Sequence, residues 1–84
     1  MPGVATKRNH ALIYRKVPGF LRELRERAGL TQRQLAAKTK QTQWWVYRSE
    51  IGSRRLDVAE FIIFCQGCGA DPSEALQELT GRPR

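Results

Sequence analysis

The segment Thr31–Gly52, TQRQLAAKTKQTQWWVYRSEIG, reads as two short helices with a tight break between them. Thr31 opens the first, with Gln34 three residues on. At that spacing a capping hydroxyl and a reaching-back amide satisfy each other's orphan backbone groups. Leu35 and Ala36 fall on the inward face, and Ala36 and Ala37 are small enough for close helix approach. The polar run Thr39-Lys40-Gln41 interrupts the apolar pattern. Thr42 is a second cap, followed by a helix from Gln43 to about Glu50 that Gly52 ends. Val46 is its clear inward residue. Trp45 is predicted half-buried beside the small Ser49 one turn away. Gln43, Trp44, Tyr47 and Arg48 fall on other faces by the 3.6-residue period. A short helix offering an amide, aromatics and a guanidinium suits the reading of base edges in a major groove.

Working outward, the spacing predicts a helix from about Pro18 to Ala28. Pro18 fits its first turn, where a missing amide proton costs nothing. Leu21, Leu24 and Ala28 share a face, and Gly29 is the stop. Arg22 with Glu26, and Glu23 with Arg27, are i,i+4 pairs on the outer face. On the other side, Asp57 and Glu60 make a cap-and-return signal for a fourth helix reaching about Gly67. Val58, Phe61, Phe64, Cys65 and Cys68 form its broad apolar face, and Ile62 and Ile63 extend apolarity almost all round. Asp71-Pro72-Ser73-Glu74 opens a fifth helix with Ala75, Leu76 and Leu79 inward and Gly81 at its end. No strand pattern and no internal repeat occurs. The expected fold is all-α, a five-helix orthogonal bundle. Residues 1–16 form an N-terminal arm, partly mobile; residues 17–80 form the domain and 81–84 a tail. In the arm, Lys7-Arg8 is suited to lie over phosphates, and Leu12-Ile13-Tyr14 is apolar enough to dock on the domain or on a second subunit.

The 84 residues make one small domain. Its net charge of +7 is unevenly spread: residues 1–55 hold thirteen Lys/Arg and three acids, residues 56–84 two Arg and five acids. That asymmetry directs a field towards a polyanion at one face. The membrane surface is the competing polyanion, but no basic amphipathic helix with a wide apolar face is present. No apolar run is long enough to span a bilayer, and Met1-Pro2-Gly3 precedes no signal core. A soluble, cytoplasmic protein is expected. Cys65 and Cys68 are spaced C-x-x-C, yet a zinc site needs about four ligands and His10 is the single histidine. Two small buried hydrophobes is the plain reading, with a redox pair or a metal shared across a dimer as the alternative. No Gly-rich phosphate loop, Ser/His/Asp set or carboxylate pair beside a nucleophile is found. Neither an enzyme, a cofactor nor a metal is therefore expected.

Leu21, Arg22, Leu24 and Arg25, then Ala28-Gly29-Leu30-Thr31-Gln32, Leu35-Ala36, Val46, Glu50 and Gly52, carry a resemblance to the Cro/phage-repressor or XRE family of helix-turn-helix proteins. Arg54-Arg55-Leu56-Asp57 and Phe61 extend it, so that it covers about residues 20–79. Lys40 stands at the turn position where the family usually has Gly, Ser49 where a buried apolar residue is usual, and Tyr47 where a small polar residue is common. The resemblance implies a phage-repressor-like DNA-binding domain. It also implies an ion pair between Glu50 and Arg25 that ties the reading helix to the first.

The expected function is that of a sequence-specific transcriptional regulator on double-stranded DNA, with the third helix in the major groove. Gln43, Trp44, Tyr47 and Arg48 are the candidate base readers. Thr31, Gln32, Thr42, Ser53, Arg54 and Arg55 are the candidate phosphate contacts. A homodimer is expected, through the fifth helix, the end of the fourth and the N-terminal segment. The rival is an antitoxin-type or protein-interaction module of the same fold, its adjacent tryptophans serving as a hot spot for a protein partner.

Overall fold

The computed structural model describes residues 11–81. The proposed Lys7-Arg8 phosphate arm, His10 and most of the C-terminal tail lie outside the described residues. Among the described residues, five helices are bounded at both ends: α1 (Val17–Arg27), α2 (Gln32–Thr39), α3 (Gln43–Ile51), α4 (Val58–Gly67) and α5 (Pro72–Thr80). Residues 11–14 are helical as well, and no strand occurs among the described residues.

Local chemistry sets most boundaries. Thr31 accepts from the Gln34 N–H and Gln34 accepts from the Thr31 N–H, a full capping box. Asp57 and Glu60 repeat it at the start of α4. Thr42 accepts from the Trp45 N–H at 2.9 Å, and Asp71 from the Ser73 N–H at 3.0 Å. The α2–α3 break turns on Lys40, whose φ of 57° is the single positive non-glycine value among the described residues. The Gln41 N–H then closes back on the Ala36 carbonyl at 2.9 Å. The backbone therefore makes the left-handed helix stop that glycine usually serves, with lysine bearing its steric cost.

Two apolar clusters form the core. The larger joins Val17 and Leu21 of α1, Leu35 and Ala36 of α2, Trp45 and Val46 of α3, and Phe64 of α4. The smaller joins Leu24, Cys65 and Ala75, and Phe61 and Cys68 pack against both. Each fully buried Leu or Phe contributes about 1.5–3 kcal/mol. Close approach is needed at two glycines. A Cβ on Gly67 would lie 2.6 Å from Thr39 Cγ2 and 2.7 Å from Leu35 Cδ1, where α4 crosses α2. Gly52, at φ 79°, stops α3 against Pro18 of α1, whose Cγ a Cβ would approach to 2.9 Å.

Several expected inward residues are not inward. Ala28 lies past the end of α1 and is exposed, and Leu76 and Val58 are 52% and 76% exposed. Ala28 caps its helix rather than belonging to the stripe, and Val58 and Leu76 line an open groove instead of the closed core. Trp45, expected half-buried, is in the core at 8% exposure. Its ring meets Phe64 at 5.9 Å and lies beneath the Arg54 guanidinium at 5.8 Å. Ser49 tolerates full burial because its hydroxyl donates to the Trp45 carbonyl at 2.8 Å, leaving no polar atom unpaired. Residues 11–14 dock through Tyr14, whose hydroxyl accepts from the Leu56 N–H at 2.7 Å.

Candidate nucleic-acid interface

Glu50 anchors α3 to both preceding helices. Its carboxylate accepts from Arg25 Nε at 2.6 Å and Nη2 at 3.0 Å, a bidentate clamp, and from the Gln32 side-chain amide at 3.1 Å. Arg25 Nη1 donates to the Leu30 carbonyl at 2.7 Å, so the same guanidinium also holds the α1–α2 turn. The hydrogen-bonded carboxylate raises the Arg25 pKa above its ordinary value. The Arg25 and Glu50 side chains are 11% and 3% exposed. This is the ion pair that the register implies, with Gln32 as a third member that sequence reasoning placed at a phosphate instead.

With Val46, Ser49 and Glu50 inward, the opposite face of α3 is presented outward. Gln43, Trp44 and Tyr47 are exposed and, with Gln32, surround a shallow open cleft of about 350 Å³. Trp44 and Tyr47 stack at 5.5 Å with planes inclined by 26°. The Arg48 guanidinium lies 5.8 Å from the Trp44 ring, but its Nε and Nη2 donate to the Ser53 hydroxyl and carbonyl. Of the four candidate readers, three therefore share one cleft, and Arg48 is turned towards the loop after α3.

The candidate phosphate residues divide. Thr31 and Thr42 stand exposed at the N-termini of α2 and α3, where backbone N–H groups and helix dipoles favour anions. Each hydroxyl accepts a capping bond and keeps its own proton to donate. Ser53 and Arg55 are exposed, the Arg55 guanidinium resting 5.4 Å from the Tyr14 ring. Arg54 departs from expectation. Its Nη2 donates to Glu60 Oε2 at 2.9 Å, its plane covers Trp45, and its Nη1 is buried without a hydrogen-bond partner. It braces the core rather than standing as a free cation. Glu60 in turn is held below its ordinary pKa, first by Arg54 and then by the Asp57 N–H.

A second cleft, of about 250 Å³, adjoins the first through Gln32 and Tyr47 and is closed by Arg22, Arg25, Glu50 and Ile51. Spacing alone pairs Arg22 with Glu26, a pair the structure contains at 3.0 Å, and does not point to this cleft. The available signal was its place one turn before Arg25, which puts both on one face of α1.

The thiols of Cys65 and Cys68 are free, and burial pushes both up to about 11. Both pack as apolar groups, and no group of three or more His, Cys, Asp or Glu side chains that would hold a metal occurs among the described residues. No helix of the described residues is long and apolar enough to cross a membrane.

A family model described as a helix-turn-helix domain matches residues 19–78. An XRE-family like protein from Pseudomonas syringae pv. tomato superimposes with a TM-score of 0.84 at 43% identity, over 92% of this chain and 94% of that one. The clp gene regulator ClgR from C. glutamicum shares the fold at a TM-score of 0.73 and 23% identity, over 82% of this chain and 90% of that one. No curated protein matches the chain.

Proposed function

The chain belongs to the XRE family of helix-turn-helix DNA-binding regulators, and on that premise we propose that it is a sequence-specific transcriptional regulator whose α3 enters the major groove of an operator. The observation that carries this reading is the outward cluster of Gln43, Trp44 and Tyr47 on a helix held rigidly from behind by the Arg25–Glu50 clamp. The Gln43 amide offers the donor and acceptor that match the N6 and N7 edge of adenine. Trp44 and Tyr47 supply apolar contact beside it. Arg48, with Ser53, lies at the rim of this cluster and grips a phosphate there. Thr31, Thr42 and Arg55 take the neighbouring phosphates, while Gln32 and Arg54 position the groups that do so. Occupying a promoter in this way blocks polymerase or contacts it, without enzymatic chemistry, in a cytoplasmic setting.

The protein acts as a homodimer in this reading, one subunit per half-site. An apolar groove of about 190 Å³ is lined by Tyr14, Leu56, Val58, Phe61, Leu76 and Leu79, and Leu12, Ile13 and Ile62 are further exposed apolar side chains. In this reading the dimer surface takes in α5, the N-terminal segment and the start of α4, where the sequence pointed to the end of α4. The same groove favours the second reading, a module that docks on a different protein.

Selection of bound duplexes from a random pool, followed by titration in increasing salt, tests both readings. The regulator returns a two-fold symmetric consensus and a log–log salt slope of about −0.9 per phosphate neutralised. A module that binds protein alone captures no duplex even at low salt, and that result refutes the proposal.

A further inference from the structure

Trp44 is 62% exposed, the most exposed aromatic ring of the chain, although it sits one residue from the buried Trp45. A large indole left in water forgoes apolar burial. Tyr47 one turn on stacks against it at 5.5 Å, and Arg48 stands 5.8 Å from its centroid. The indole is therefore oriented before any ligand arrives. It stands in the first turn of α3, beside Gln43 and on the shared cleft. The first turn of a groove-inserted helix is the part that reaches base edges. Among base edges in the major groove, the thymine C5-methyl is the apolar group. 5-Methylcytosine places a methyl at the same ring position, while its hydrogen-bonding edge stays that of cytosine.

We propose that Trp44, braced by Tyr47, is a reader of pyrimidine C5-methyl groups, so that the protein distinguishes thymine from uracil, and 5-methylcytosine from cytosine, at one position of each half-site. This inference rests on the reading of α3 as the groove-entering helix. The mechanism is desolvation: the methyl leaves water against the indole, and no hydrogen bond of the base pair changes. Removing one methyl from such a contact weakens binding about four-fold, the value of one buried CH₂-sized group. Gln43 supplies hydrogen-bond readout, which is blind to the methyl.

Duplexes selected from a random pool are remade with uracil at each thymine in turn, and with 5-methylcytosine at each cytosine in turn. Affinities of the full chain, Trp44→Ala, Trp44→Leu and Gln43→Ala are then measured by fluorescence anisotropy at one salt concentration. Circular dichroism checks that each variant is folded. The expected result is an about four-fold change on methyl removal or addition at one position per half-site. Trp44→Ala erases that difference and Gln43→Ala preserves it. Trp44→Leu keeps an apolar contact and retains a part of the discrimination, which separates loss of the contact from loss of binding. Equal affinities for every methyl-swapped pair, or a folded Trp44→Ala that keeps the full difference, overturn the proposal. If the unaltered protein binds no duplex at all, the α3 reading fails and this inference falls with it; binding without methyl discrimination refutes this inference alone.

Discussion

Removing Arg25 tests the clamp that orients α3. Arg25→Ala takes away both donors to Glu50 and the donor to the Leu30 carbonyl. Glu50, 3% exposed, is left with the Gln32 amide as its remaining side-chain partner among these contacts. Breaking a buried pair from one side strands the other charge and costs about 3–5 kcal/mol. The Arg25 side chain retains 11% exposure, so some solvent screening places the cost at the lower part of that range. At roughly 0.05–0.15 kcal/mol per residue, a domain of this size has about 4–13 kcal/mol in total. The loss is thus a quarter of the stability or more, and lowers Tm by on the order of 12 °C or more. Urea denaturation of Arg25→Met, Glu50→Leu and Arg25→Met/Glu50→Leu completes a double-mutant cycle, with Arg25→Ala measured alongside. The double variant, which buries no lone charge, should be at least about 1 kcal/mol more stable than the sum of the single losses allows. Duplex affinity should fall in the double variant even where stability returns, because α3 is no longer aligned to α1 and α2. Single losses below about 1 kcal/mol, or strict additivity, would refute the view that this pair holds the reading helix.

Gln43→Ala should relax preference at one base position at a cost of about 1–3 kcal/mol on the best site, whereas Arg55→Ala should weaken all duplexes evenly and reduce the salt slope by about one unit, both read from binding isotherms in a salt series. Lys40→Gly should stabilise the fold by up to about 1 kcal/mol in urea melts, since the backbone at φ 57° strains lysine and not glycine; no gain would mean the side chain repays its strain. Glu60 carries a depressed pKa, so its contribution is present above the ordinary carboxylate range and is lost as pH falls through the lower folded value; Glu60→Gln should flatten the acid limb of the stability–pH curve, and an unchanged limb would contradict the Arg54–Glu60 coupling.

The division between sequence and tertiary structure follows the range of the interactions. Thr31 with Gln34, and Asp57 with Glu60, were legible because a cap bonds within three residues of itself. Leu21, Leu35, Val46 and Phe64 were legible because the centre of an apolar stripe is buried whichever way neighbouring helices cross. The Arg25–Glu50 pair was reached through family register, not through spacing, because 25 residues of chain lie between its ends. The stripe edges were not legible. Adjacent helical residues differ by about 100° in direction, so Trp45, Val58 and Leu76 are sheltered or exposed according to where another helix happens to pass. Sequence could assign Arg54 and Arg55 the same chemistry but not different tasks. Only the packed structure sets Glu60 and the face of Trp45 beside Arg54, turning it inward, while Arg55 rests against Tyr14 at the surface. A long, flexible cation takes its role from the partners that folding brings within reach, and those partners are set by helix crossings rather than by its neighbours in the chain.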